Sequence, residues 1–283
     1  MSLLPQRPRR EKLLLLISAV LVISVVNTFG QEQRVLRVAA DPNNLPFSNQ
    51  RLEGFENKIA ELIGRELHAK IEYQWRAQRR GFFRQTLKEG TADLVIGVPA
   101  HFDLALTTVP YYRSMYVFVT RKDRDLHIRS LDDERLHRLR IGVQLIGNDG
   151  VDTPPAHALA ARGIVDNVVG FTLYGDYAQA NPPARIIEAV EKSEVDVAVA
   201  WGPLAGFFSK QSTVPLELTP VQPQIDGPLR FAFDVAAGVR KNDRPLKELL
   251  DRILTEHRSE IDRVLESYNI PRSTVSEKKI SAL

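Results

Sequence analysis

Asp41, Asn43 and Phe47 stand in the loop DPNNLPFSN, directly after an apolar strand pattern at 36–40. A carboxylate and an amide in that place could hydrogen-bond a polar ligand, although Asp and Asn also tie their own turns together. The same logic picks out other residues at strand ends, because ligands of parallel α/β sheets meet the loops at the carboxyl ends of strands. From the first half of the chain these are Trp75, Arg79, Pro99, Thr107, Thr108, Tyr111 and Tyr112. From the second half they are Gln144, Asn148, Asp149, Trp201 and Gly202. Phe47, Trp75, Tyr111, Tyr112 and Trp201 would make a cleft rich in rings, suited to an apolar or planar ligand or to anchoring a protein partner. Arg76, Arg79, Arg80 and Arg84 cluster in WRAQRRGFFR. One of them could grip an anion bidentately, or the run is a solvated face.

Enzymatic signals are thin. The six His are scattered without metal-ligand spacing, and there is no Cys to supply a thiolate or a disulfide. No nucleophile elbow, phosphate loop or dinucleotide fingerprint occurs, so neither a catalytic residue nor a cofactor is expected.

The elements that must position these residues read as α/β. Two segments recur at an offset of 103 positions: Leu36-Arg37-Val38 answers Leu139-Arg140-Ile141, and Ala92–Ile96 answers Val195–Val199. Two matches at one offset predict two lobes of similar build. The first lobe is expected over 31–120, with strands at Leu36–Ala40, Ala69–Trp75 and Asp93–Val98. A helix should open at Gly54-Phe55-Glu56, and a short helix should span Gly81–Lys88. The second lobe is expected over 121–222, with strands at Arg140–Gln144, Gly170–Tyr174 and Val195–Trp201 and helices at Pro154–Arg162 and Pro182–Glu191. A return segment, 223–271, should rejoin the first lobe through a strand at Phe231–Arg240 and a helical region at Pro245–Tyr268. Two crossings, near Tyr116–Arg121 and Gln222–Phe233, would form the hinge, and residues 272–283 read as a polar, disordered tail.

Residues 1–30 read as a signal peptide. Arg7, Arg9, Arg10 and Lys12 precede an apolar run, Leu13–Val26, with a cleavage site after Gly30. The run is shorter than the ~20 residues that span a bilayer. Cleavage would remove four Lys/Arg and one Glu from totals of 38 and 35, leaving 34 of each sign and no basic field for nucleic acid or anionic lipid.

Strand Leu36–Ala40, Gly54-Phe55-Glu56, Gly90–Val98, Pro110-Tyr111 and Phe233–Leu246 together resemble the two-lobed periplasmic solute-binding proteins of type II fold. Amino-acid receptors of that family clamp the ligand carboxylate with an arginine between the Gly and the Pro-Tyr. This chain has no Arg or Lys between Gly97 and Pro110. DPNNLPFSN, Gly97-Val98-Pro99 and LTTVPYYRSMYVF are also similar to the J component associated with pyrroloquinoline quinone (PQQ) dependent methanol dehydrogenases. That resemblance implies a non-catalytic, monomeric periplasmic accessory protein. Its implied partners are the quinoprotein dehydrogenase and that enzyme's cytochrome c. Two other readings are a solute receptor of a transporter, with Arg79 or Arg113 as a displaced anchor, and a dehydratase-like enzyme with a cleft carboxylate as general acid.

Overall fold

The computed structural model describes residues 34–146, 153–174 and 177–273, within the compact unit Val35–Leu283. The expected signal peptide, Asn148, Asp149 and the tail from residue 274 lie outside the described residues. The strands are β1 (Val35–Ala40), β2 (Lys70–Trp75), β3 (Leu94–Pro99), β4 (Tyr112–Arg121), β5 (Ile141–Leu145), β6 (Val168–Thr172), β7 (Val197–Trp201), β8 (Leu216–Pro220) and β9 (Ala232–Val239). The α-helices are α1 (Phe55–Glu66), α2 (Pro154–Ala161), α3 (Arg185–Glu191), α4 (Gly202–Gln211), α5 (Arg244–Glu256) and α6 (Arg258–Ser267).

One sheet runs through the unit in the order β2-β1-β3-β9-β4-β7-β5-β6, with β8 added on β4. Its two ends are parallel triplets, β2-β1-β3 and β7-β5-β6. Val38 pairs with Leu94 and Ala39 with Val95 in the first; Ile141 pairs with Val197 and Gly142 with Ala198 in the second. Each of these residues has its counterpart 103 positions on, so the recurrence in sequence is a recurrence of register.

The repeat extends to an ion pair. Asp93 Oδ2 accepts from the Arg37 amide (3.0 Å) and Nε (3.0 Å), and Arg37 also donates to the Gly90 carbonyl. Asp196 Oδ2 accepts from the Arg140 amide (2.9 Å) and Nε (3.1 Å), and Arg140 donates to the Ser193 carbonyl. Gly90 and Ser193, again 103 apart, both have positive φ (72° and 58°). The Arg140 hydrogen bond holds the Asp196 carboxyl at about 2, below its ordinary value, against the opposing effect of burial. A depressed carboxylate stabilises the fold above its unfolded pKa, about 3.9, and that stability is lost as pH falls. The expected result is a thermal midpoint that declines between about pH 4 and pH 2, less steeply in Asp196→Asn; melts across that range check it.

The core follows the apolar spacing. Phe55, Ile59, Ala60 and Ile63 put one face of α1 into a cluster with Leu36, Leu94, Leu250 and Leu265. The second lobe packs two clusters, one with Ile186, Val190, Ala198 and Leu204, the other with Phe118, Ile141, Leu159 and Val197.

The lobes join where two long strands run side by side. Residues Tyr112–Val235 and Met115–Ala232 pair antiparallel, after which β4 continues beside β7 and β9 beside β3. The C-terminal segment adds a further attachment. Asn269 Nδ2 donates to the Gly206 carbonyl (2.8 Å), Ser114 Oγ donates to the Pro271 carbonyl (2.6 Å), and Tyr268 stacks on Phe207. Ile270 belongs to the first-lobe core, whereas α4 packs with the second. The segment therefore straps one lobe to the other.

Several expected elements differ. The Pro245–Tyr268 region is two helices, because His257 leaves helical angles (φ −97°, ψ 19°). The Gly81–Lys88 helix narrows to a wide turn over Arg84–Lys88, where the Glu89 amide bonds the Arg84 carbonyl. Arg272 and Ser273, expected in the disordered tail, are held by Asp262 and by the Arg113 carbonyl.

Candidate functional site

Between the lobes lies a cavity of about 240 Å³. The first lobe brings Asn44, Phe47, Glu56, Gln78, Gly97 and Pro99 to its wall; the second brings Gln144, Ile146, Thr153, Leu173, Tyr174, Trp201 and Leu204. The paired strands supply Tyr112, Tyr116, Phe233 and Val235. Trp201 sits edge-on between Tyr116 (5.2 Å) and Phe233 (5.9 Å), so the cavity meets a continuous aromatic wall.

The loop before α1 closes the lobes on each other. Its Pro46 and Phe47 carbonyls accept from the Phe55 (2.8 Å) and Glu56 (3.0 Å) amides, which satisfies orphan donors at the helix start. A methyl at Gly54 would collide with the Phe47 carbonyl, so this close approach needs glycine. Leu45 is buried in a second-lobe cluster with Met115, Val117 and Ala184, and Phe47 packs against the cores of both lobes. Asn43 Nδ2 donates across the mouth to the Gln179 carbonyl (2.8 Å).

Glu56 is the one carboxyl on the cavity wall among the described residues. It is 8 % exposed, and burial pushes its pKa well above the ordinary carboxylate range. Gly97, at φ +81°, leaves the space that its carboxylate fills, and a methyl there would overlap the Glu56 oxygens. No Lys, Arg or His lines the cavity among the described residues. Gln144 is fixed on the opposite lobe: its Oε1 accepts from the Trp201 amide (2.8 Å), while its Nε2 is buried without a partner. Burial raises Tyr116 and Tyr174 far above the usual phenol range, so both stay neutral hydroxyls.

Of the candidates read from sequence, Phe47, Tyr112, Gln144 and Trp201 line the cavity, as does Pro99. The others do not. Asp41 is buried in its own turn, accepting from the Asn43 (2.8 Å) and Gln78 (2.9 Å) amides. Asn43 bridges the lobes at the mouth instead of facing the cavity. Trp75 stacks on Tyr73 at the end of β2 (4.5 Å). Thr107 pairs with Gly238 beside β9, and Thr108 Oγ1 accepts from the Ala237 amide. Tyr111 is fully buried in the first-lobe core. Arg79 stands near Tyr177, whose pKa burial and Asp41 raise to about 12 while Arg79 opposes them. Arg113 pairs with Asp234 (3.0 Å) and lines a separate surface pocket with Arg258 and Arg272. Neither arginine lines the cavity.

Glu56 was not among the candidates. A readable signal existed: it shares the 56, 59, 60, 63 stripe with Ile59, Ala60 and Ile63, which places a carboxyl on the apolar face of α1.

Residues 36–269 match the bacterial extracellular solute-binding proteins, family 3. The chain is 33% identical over 255 residues to protein MoxJ of Methylorubrum extorquens, covering 85% of this chain and 82% of that one. It is 29% identical to MoxJ of Paracoccus denitrificans, covering 83% and 88%. The crystal structure of the periplasmic binding protein XoxJ from Methylobacterium extorquens superposes with a TM-score of 0.69 at 35% identity, over 85% of this chain and 100% of that chain. The register, the paired crossing strands and these similarities converge: the chain belongs to the bacterial extracellular solute-binding proteins, family 3, and is a relative of the MoxJ proteins.

Proposed function

We propose that this protein is a non-catalytic periplasmic accessory protein of a PQQ-dependent methanol or alcohol dehydrogenase, which it binds during maturation or activation. The observation that carries the reading is an interlobe cavity with no Lys, Arg or His on its wall among the described residues, in a chain similar to MoxJ. A free amino acid's carboxylate would meet no cationic side chain among the described wall residues, and burying a charge without a counter-charge is costly. The test uses the purified dehydrogenase and the mature protein. Co-elution on size exclusion with saturable binding is expected. Stabilisation by amino acids, about 2.7 kcal/mol at 100 times the dissociation constant, without any dehydrogenase complex would establish a nutrient receptor instead.

The same wall disfavours carriage of the quinone itself. PQQ bears three carboxylates, and the cavity would meet them with a further carboxyl and no counter-charge. Absorbance titration of the mature protein with PQQ at neutral pH is therefore expected to show no saturable binding. A one-to-one complex would make the protein a cofactor carrier.

A further inference from the structure

Glu56 poses a question that the fold does not answer. It is a buried carboxyl on the cavity wall, with no hydrogen-bond donor among the described side chains and with room made for it by Gly97. Packing alone would be served better by Leu or Met, since an unpaired buried charge is destabilising. The same cavity is lined by Phe47, Tyr112, Tyr116, Trp201 and Phe233. A cavity that combines one carboxyl with several aromatic rings matches one ligand chemistry well, a cation with apolar substituents.

We propose that the cavity receives an aliphatic ammonium group, either a free alkylamine or the side chain of a partner's lysine, with Glu56 as its counter-ion. This rests on reading the cavity as the binding site, not on the identity of the dehydrogenase. An anionic or neutral ligand leaves Glu56 protonated and gains no counter-charge from it, whereas an ammonium gains the ionised carboxylate. The titratable groups coupled to Glu56 are the phenols of Tyr73, Tyr111, Tyr112 and Tyr174. All are shifted upward by burial, so none competes as a charge at neutral pH. Binding an ammonium then draws the proton off Glu56 and releases it to solvent. Affinity rises with pH until the free protein's Glu56 is ionised, while an alkylammonium keeps its own charge over the same range.

The test is calorimetric titration of the mature protein with n-butylammonium, Nα-acetyl-lysine amide and, as a neutral control, n-pentanol. At least one ammonium probe should bind saturably and more tightly than pentanol. Its affinity should rise with pH, and titration in two buffers of different ionisation enthalpy should show proton release. Preference for the lysine derivative assigns the site to a partner's side chain; preference for butylammonium assigns it to a free amine. Glu56→Gln should weaken the preferred probe by at least about 30-fold. Equal binding of pentanol, no binding of either ammonium, or undiminished affinity in Glu56→Gln overturns the proposal. Dehydrogenase co-elution measured on the same two proteins separates the readings, because its loss leaves ammonium binding standing, and the reverse.

Discussion

Glu56→Gln will be more stable than the parent protein at pH 8. The carboxyl is buried on the cavity wall, and its pKa in the fold is raised by burial alone. In the unfolded chain it ionises near its ordinary value, about 4.3. The sign follows: the folded state binds the proton more tightly, so stability drains away as pH climbs from the unfolded value towards the folded one. An amide of the same shape carries no such penalty. A gain of about 1–3 kcal/mol at pH 8 is expected, shrinking to little below about pH 4, where both states are protonated. Urea unfolding at the two pH values checks it. A variant less stable at pH 8 would mean that the carboxyl has an internal partner and that the cavity is not waiting for one.

The second large effect is steric. A methyl at Gly206 would run into the Asn269 carbonyl and the Pro271 ring. The first is backbone and cannot swing aside, so Gly206→Ala must push the C-terminal strap off α4. That movement breaks the Asn269 bond to the Gly206 carbonyl and the Tyr268–Phe207 stack. A loss of about 1–3 kcal/mol is expected. Faster amide exchange confined to Tyr268–Ser273 and the facing turn of α4 would accompany it. Uniformly faster exchange would instead mark a general loss of packing, and unchanged exchange would mean that the strap bears no load.

These effects sit on features of unequal visibility in the sequence. The parallel triplets were legible because buried strands are short apolar runs bounded by turn residues, and their recurrence at one offset reported a shared register. Helix α4 was not, since GPLAGFFSKQ has two glycines and a proline; the proline is tolerated because it lies in the first turn. Tyr111 and Tyr112 show the limit within the site. Adjacent strand residues point to opposite faces, and the composition of the pair cannot say which face is the cavity. Tyr111 took the core and Tyr112 the wall. Tyr116 and Phe233, 117 positions apart in sequence, went unread because their direction depends on how two distant strands pair, which no local pattern encodes. Asp41 was read with both possibilities open, and its carboxylate closes its own turn through the Asn43 amide and pins the loop at Gln78. Glu56 was hidden by convention: an acidic residue in the first turn of a helix is easily taken as a partner for the helix dipole.

The strap changes the mechanics of the molecule. A pair of jaws joined only by two adjacent ribbons swings freely about the line between them. Fastening the jaws at a further point turns the swing into a latch, since wide opening must first release the Asn269 amide from the Gly206 carbonyl. Control over the mouth therefore resides partly in the last residues of the folded body, and whatever grips that end of the chain sets how far the jaws part.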